Sequence, residues 1–100
     1  MRTFTHGDTL LVTQFKNLGA DNAYLLREFA HAALTDQHRV VDIDLTAADY
    51  VDSEGLGALI SLHKRLSARQ GKVRLLNPKP MVQQFFQLLK LDHLFESVQQ

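Results

Sequence analysis

The stretch Val51-Asp52-Ser53-Glu54-Gly55-Leu56-Gly57-Ala58-Leu59-Ile60 holds the side chains best placed to do chemistry. A serine that follows an aspartate and opens an apolar, helix-spaced run puts its hydroxyl at a helix N-terminus. There the first-turn N–H groups and the helix dipole stabilise added negative charge. The modification that suits such a hydroxyl is a phosphate, which brings a charge of about −1.5 to −2. Asp52 and Glu54 flank it and oppose that charge by repulsion. Asp52 or Ser53 is the expected N-cap. With Asp52 as the cap, Val51 and Leu56 become the two ends of a hydrophobic staple, and Glu54 falls in the dipole-favoured first turn. Capping does not account for Gly55 and Gly57, each of which costs a helix about 1 kcal/mol relative to alanine. Two glycines beside an exposed hydroxyl imply that something approaches this backbone closely.

Other chemistries fit less well. The stretch lacks the first glycine of a G-x-S-x-G elbow, and His93 is the only late histidine that could serve a serine hydrolase. No glycine-rich phosphate loop with a lysine is present, so the chain is not itself an NTPase. There are no cysteines, and the five histidines show no ligand spacing, so no metal or other cofactor is expected. Asp42 and Asp44 share one face of a strand, which raises a receiver-type phosphoacceptor. That site needs partner acids near the first strand, where only Asp8 is available. These carboxylates are therefore expected to reach solvent at the sheet edge or to bond nearby backbone. His63, inside an apolar stripe, reads as a packed and hydrogen-bonded core residue.

The elements that must position Ser53 follow from hydrophobic period and punctuation. Residues 3–6 and 9–15 read as two extended runs joined at Gly7-Asp8, a hairpin signal. Residues 17–20 form a loop. Asp21 or Asn22 then caps a helix to about Leu34, with Ala23, Leu26, Phe29 (or Ala30) and Ala33 on one face and Arg27, Glu28 and His31 largely off it. Val40 to Leu45 is a β-branched strand. The helix from about Ser53 to Gln70 shows Leu56, Leu59, Ile60, His63 and Leu66 toward the core, with Gly71 as its closing C′ glycine. Residues 73–76 form the next strand. Asn77-Pro78-Lys79-Pro80 is a stiff turn, and Val82, Phe85, Phe86 and Leu89 are the apolar face of a helix starting near Met81. Residues 94–98 are a last short extended segment. The order ββαβαβα, with a possible final strand, predicts an α/β fold: one small, mostly parallel sheet with helices packed against it, in a single domain over residues 1–100. The carboxyl ends of the strands are the functional edge of such a sheet, and they gather residues 17–20, 52–53 and 77–80 on one rim.

A chain of 100 residues with 45% hydrophobic content is enough for one such domain and not for two. No apolar run follows Met1-Arg2 and none has the length of a membrane span, so a cytoplasmic protein without membrane insertion is expected. Net charge is zero but uneven: residues 1–54 hold nine acids and four bases, residues 55–100 seven bases and two acids. A domain polarised in this way can orient a charged partner, unless the two sets neutralise each other across the fold. Neutral overall charge and few exposed aromatics argue against nucleic acid.

Asp52-Ser53-Glu54-Gly55-Leu56-Gly57, preceded by the acidic strand at 40–45, resembles the signature of STAS domains, the anti-sigma factor antagonists and their relatives. The resemblance continues through His63-Lys64-Arg65-Leu66, Gly71-Lys72-Val73-Arg74-Leu75, Asn77-Pro78 and Leu91-Asp92-His93-Leu94-Phe95, and spans about residues 9–98. It implies a non-enzymatic partner switch. Ser53 would be phosphorylated by an anti-sigma serine kinase using ATP bound by that kinase, the unmodified form would bind the kinase, and a serine phosphatase would reset it. Asp52 and Gly55 would shape the turn, Glu54 would abut the acceptor, and Gly57, Ala58, Ser61 and Leu62 would offer a helix face to the partner. Two positions depart from the family pattern: Glu54, where a serine, threonine or alanine is usual, and the neighbourhood of Leu18, where an acid is usual. The family offers two alternatives: an accessory subunit of a phospholipid-transporting ABC system, bound to its ATPase, and a degenerate domain in which Glu54 supplies a standing charge.

Overall fold

The alternation in Val40-Val41-Asp42-Ile43-Asp44 decides how the sheet is built. Val41 and Ile43 are fully buried on one face of this strand, and Asp42 and Asp44 point to the other. The computed structural model describes all residues 1–100. It contains β1 (Arg2–His6), β2 (Thr9–Thr13), α1 (Ala23–Ala33), β3 (Val40–Asp44), α2 (Ser53–Ser67), β4 (Lys72–Leu76), α3 (Pro80–Leu88), a 3-10 turn (Asp92–Leu94) and β5 (Glu96–Val98). The five strands lie side by side in chain order. β1 and β2 form the expected antiparallel hairpin, turned at Gly7 with φ +63°, and every later pair is parallel. Parallel neighbours need crossovers, which α1, α2 and α3 with the 3-10 turn supply.

Leu10 and Val12 of β2, Val41 and Ile43 of β3, and Val73 and Leu75 of β4 form the floor of one core. Leu26 and Ala30 of α1, Leu59 and Leu66 of α2, and Val82 and Phe86 of α3 close over it, with Phe95 after the 3-10 turn. In α1 the choice between Phe29 and Ala30 falls to Ala30, and Phe29 is exposed. α2 buries a wider arc than its stripe implied. Ala58 and Leu62 are buried along with Leu56, Leu59 and Leu66, because α1 packs on its flank while the sheet lies beneath. Ile60 and His63 are only half-buried. The His63 ring meets Phe95 edge-on at 5.9 Å; its Nε2 lies 3.4 Å from the Ser67 hydroxyl, and its buried Nδ1 has no partner.

Two expectations are corrected. α2 ends at Ser67, and the left-handed residue that closes it is Gln70 (φ +61°), not Gly71. Gly71 is a close-approach glycine instead: a Cβ there would run into the Arg39 carbonyl oxygen, which accepts from Lys72 N at 2.9 Å. Asp42 does not reach solvent. It lies on the central strand, 6% exposed, and takes two hydrogen bonds of 2.7 Å from Nε and Nη2 of Arg74, its register partner on β4. This pair sits in a row of register partners, Phe4, Leu11, Asp42, Arg74 and Glu96, that crosses the whole sheet on the face opposite the core. Asp44, on the same face, accepts from the hydroxyls of Thr13 (2.7 Å) and Thr46 (2.6 Å) and from Thr46 N. Burial pushes its carboxyl up, but those three bonds outweigh burial and hold it below the usual value.

Candidate functional site

The start of α2 is fixed by a carboxylate rather than by a hydroxyl. Asp52 is the N-cap in extended conformation, and its Oδ1 accepts from Glu54 N at 2.9 Å and Gly55 N at 3.1 Å. Its Oδ2 reaches across the rim and accepts from Ala20 N at 3.2 Å. The bond from Gly55 N is the main reason that its carboxyl titrates below the usual value; the smaller opposing effect of desolvation is outweighed by Gly55 together with Ala20 and Glu54. Ser53 is therefore N1, the first helical residue, exposed and outside the capping network. Val51 and Leu56, the expected staple ends, are both buried in the core.

The loop at residues 17–22 is held against this helix start. Leu18 and Val51 form an isolated parallel bridge: Leu18 N donates to Tyr50 O at 3.2 Å, and Asp52 N donates to Leu18 O at 3.0 Å. The Asn17 side-chain oxygen accepts from Asp49 N at 2.8 Å and Tyr50 N at 3.2 Å, and Asn22 ties the loop internally through Gly19 N and Asn17 O. Gly55 is a consequence of this closeness, since a Cβ there would collide with the Leu18 carbonyl. Gly19 is another: its Cβ would collide with Asp52 Oδ2. The third loop joins through Lys79, whose Nζ lies 2.7 Å from Asp49 Oδ1, and through Asn77, whose amide donates to the Thr46 hydroxyl at 3.0 Å. Lys79 is the chief reason that Asp49 titrates below the usual carboxylate range. All three loops thus share one rim, as the strand polarity implied.

The site residues read from the sequence fall into two groups. Ser53, Glu54 and Ser61 are exposed, and Asp52 and Gly57 are half-buried. Gly55, Ala58 and Leu62 are buried, so the helix face at 57–62 is not a continuous presented surface. Ala58 and Leu62 instead form the floor of an open groove of about 370 Å³ between α1 and α2, rimmed by Arg27, Glu28, His31, Ser61 and Arg65. Sequence reasoning placed the loop at 17–20 on the rim but missed the contacts of Asn17 and Gly19, and it missed Arg27 altogether. Nothing in their local spacing distinguishes them, because each earns its place through a contact with an element 30 or more residues away.

A mostly parallel five-stranded α/β domain with a capped, exposed serine at the first turn of its second helix is the class that the fold and rim define. Over residues 2–100 the chain matches the family model of the STAS domain, and it belongs to that family. No curated protein matches it in sequence. Among solved structures it is similar to a candidate anti-sigma factor antagonist from Thermotoga maritima, at 20% identity and a TM-score of 0.87, over 97% of this chain and 84% of that one. It is similar to the anti-sigma factor antagonist SpoIIAA in its unphosphorylated form, at 19% identity and a TM-score of 0.73, over 99% of this chain and 86% of that one. It is likewise similar to the Bacillus cell fate determinant SpoIIAA in its phosphorylated form, at 20% identity and a TM-score of 0.75, over 97% and 89%. At these identities the likeness is one of fold. No helix is long and apolar enough to cross a membrane.

Proposed function

We propose that this chain is a partner-switching regulator of the anti-sigma factor antagonist type, controlled by reversible phosphorylation of Ser53 by an anti-sigma serine kinase. The observation that carries the reading is the position of Ser53: N1 of a helix whose cap is supplied by its neighbour Asp52, so that the serine hydroxyl is exposed and not needed to hold the turn. Its fold is that of SpoIIAA, a protein solved in both phosphorylated and unphosphorylated forms. The unmodified chain binds the kinase through Asp52, Ser53 and Glu54, with Gly55 allowing the rim to close and Gly57 and Ser61 forming the adjoining helix surface above the buried Ala58 and Leu62. A phosphate on Ser53 puts charge into an interface that formed without it, and the partners separate. A serine phosphatase restores binding. Glu54, already exposed in the first turn, adds a standing negative charge beside the acceptor, and the partner has to match it.

The test is a pull-down from the native host with wild type, Ser53→Ala and Ser53→Asp as baits. Recovery of a small ATP-binding kinase by wild type and Ser53→Ala, at least tenfold less by Ser53→Asp, is the expected result, a factor worth about 1.4 kcal/mol of binding. Equal recovery of a transporter ATPase by all three baits would replace this reading with the accessory-subunit one.

A further inference from the structure

A phosphate on Ser53 meets an unusual electrostatic setting. The first-turn N–H groups of Glu54 and Gly55, which an anion at a helix start would draw on, are already held by Asp52 Oδ1. Asp52 and Glu54 add two carboxylates at once. A cation within reach of Ser53 would offset that charge, and α1 supplies one. Arg27 crosses from α1 onto α2, where its Nη1 donates to the Ser61 hydroxyl at 2.8 Å. Its Nη2 lies 3.2 Å from the position that a Cβ on Gly57 would occupy, so the bare glycine makes room for the guanidinium. Ser53, Gly57 and Ser61 follow one another at i, i+4 and i+8 and share one side of α2. Cβ positions four apart on a helix are about 6 Å apart, which brings the guanidinium to within about 9 Å of the Ser53 Cβ. A phosphoserine side chain and one rotamer change of an exposed arginine span that gap.

We propose that Arg27 is the internal receptor for the phosphate: on modification it gives up its bond to Ser61 and pairs with phosphoserine 53. This rests on the reading of Ser53 as the modified residue and adds how the modification is registered inside the molecule. Arg27 rims the groove whose floor is Ala58 and Leu62, beside Glu28 and His31 of α1 and Arg65 of α2. Moving it toward the helix start uncovers the Ser61 end of that groove, so the switch alters the shape of the α1–α2 surface as well as its charge. The Ser61 hydroxyl also donates to Gly57 O at 3.1 Å, a bond that does not depend on Arg27. Gly57 thus differs from Gly55: a Cβ at Gly55 would collide with a loop carbonyl, whereas one at Gly57 would meet only the end of the Arg27 side chain at 3.2 Å.

The experiment places phosphoserine at position 53 by an expanded genetic code, so that no kinase is required. It uses an Arg27 background, Arg27→Gln and Ser61→Ala, each also carrying His31→Gln so that the groove histidine contributes nothing to the titration. The phosphate is titrated by ³¹P NMR, and the Arg27 Nε–H resonance is followed by ¹⁵N NMR. The expected result is a phosphate pKa lower with Arg27 than in Arg27→Gln by about half a pH unit or more, since a nearby cation favours the dianion. The Arg27 Nε–H resonance should shift on phosphorylation. Ser61→Ala should keep the low value, because it frees Arg27 without removing it. Equal phosphate pKa values with Arg27 and with Arg27→Gln would overturn the proposal. So would a rise in Ser61→Ala matching that in Arg27→Gln, which would trace the effect to groove order and not to the charge. Because the phosphate is installed directly, this outcome is independent of whether a kinase partner exists, and the bait comparison is independent of Arg27.

Discussion

Three aspartates at the rim and on the bare sheet face titrate below their ordinary value, each for a different reason. Asp52 is held down chiefly by the N–H of Gly55 and Asp49 by Lys79, while in Asp44 the bonds from Thr46 and Thr13 overcome burial. A carboxylate whose folded pKa is depressed contributes stability that is present above its unfolded value, about 3.9, and is lost as pH falls from there through the folded value. The fold is therefore expected to resist urea evenly at neutral pH and to weaken below about pH 4, chiefly through Asp44, since Asp49 and Asp52 are screened by solvent. Asp44→Asn should lower the urea midpoint at pH 7 and make the acid decline shallower, as measured by urea unfolding from pH 7 to pH 2.5. An acid decline as steep as that of the wild type would mean that other groups control it. Two aspartates, Asp52 and Asp42, show what a sequence can and cannot disclose. Asp52 was legible as a cap because its donors lie two and three residues away. Asp42 was misread as solvated because its partner, Arg74, is 32 residues distant and is found only when β3 and β4 are in register.

Between elements, the decisive contact is loop against helix: residues 17–22 lie on the start of α2 closely enough that a side chain at Gly55 would strike the Leu18 backbone and one at Gly19 would displace the Asp52 carboxylate. Gly55→Ala gains about 1 kcal/mol of helix propensity but forces a Cβ onto the Leu18 carbonyl, which Asp52 N needs as its acceptor. Overpacking of this kind costs about 1–3 kcal/mol, and against backbone the upper part of that range applies, so a net loss of about 1–2 kcal/mol is expected by urea denaturation. Amide exchange at Asp52 should quicken in the same variant, and a Gly55→Ala protein as stable as wild type would show that the loop can yield. The elements themselves were largely readable. Hairpin, helices and strands followed from period and punctuation, and errors gathered where packing overrides period. α2 is covered on two sides, so Ala58 and Leu62 are buried although they lie off the stripe that faces the sheet. At its end, Gly71 looked like the cap because glycine commonly closes helices, whereas Gln70 takes the left-handed conformation and Gly71 makes room for Arg39.

Across the whole molecule, two of the three ion pairs, Arg74–Asp42 and Lys79–Asp49, join the acidic first half of the chain to the basic second half, so part of the sequence polarity is consumed inside the fold. The first of them lies in the middle of the row that spans all five strands. Arg74→Met should cost about 3 kcal/mol, at the low end for breaking a buried pair because Arg74 is 28% exposed, as it leaves Asp42 buried and unpaired. Asp42→Val combined with Arg74→Met should recover most of that loss in a double-mutant cycle, and additive losses would show that the two residues do not act as a pair. The strand sequence has a further effect. Because spatial order equals chain order, a growing chain adds each strand to the edge left by the one before, and no strand has to be inserted between neighbours already joined. The donors to Asp52, at residues 20, 54 and 55, are all present before β4 and β5 are added. The groups that close the first loop onto the cap thus all lie within the first 55 residues, whereas the fasteners of the third loop, Lys79 and Asn77, come from the basic half.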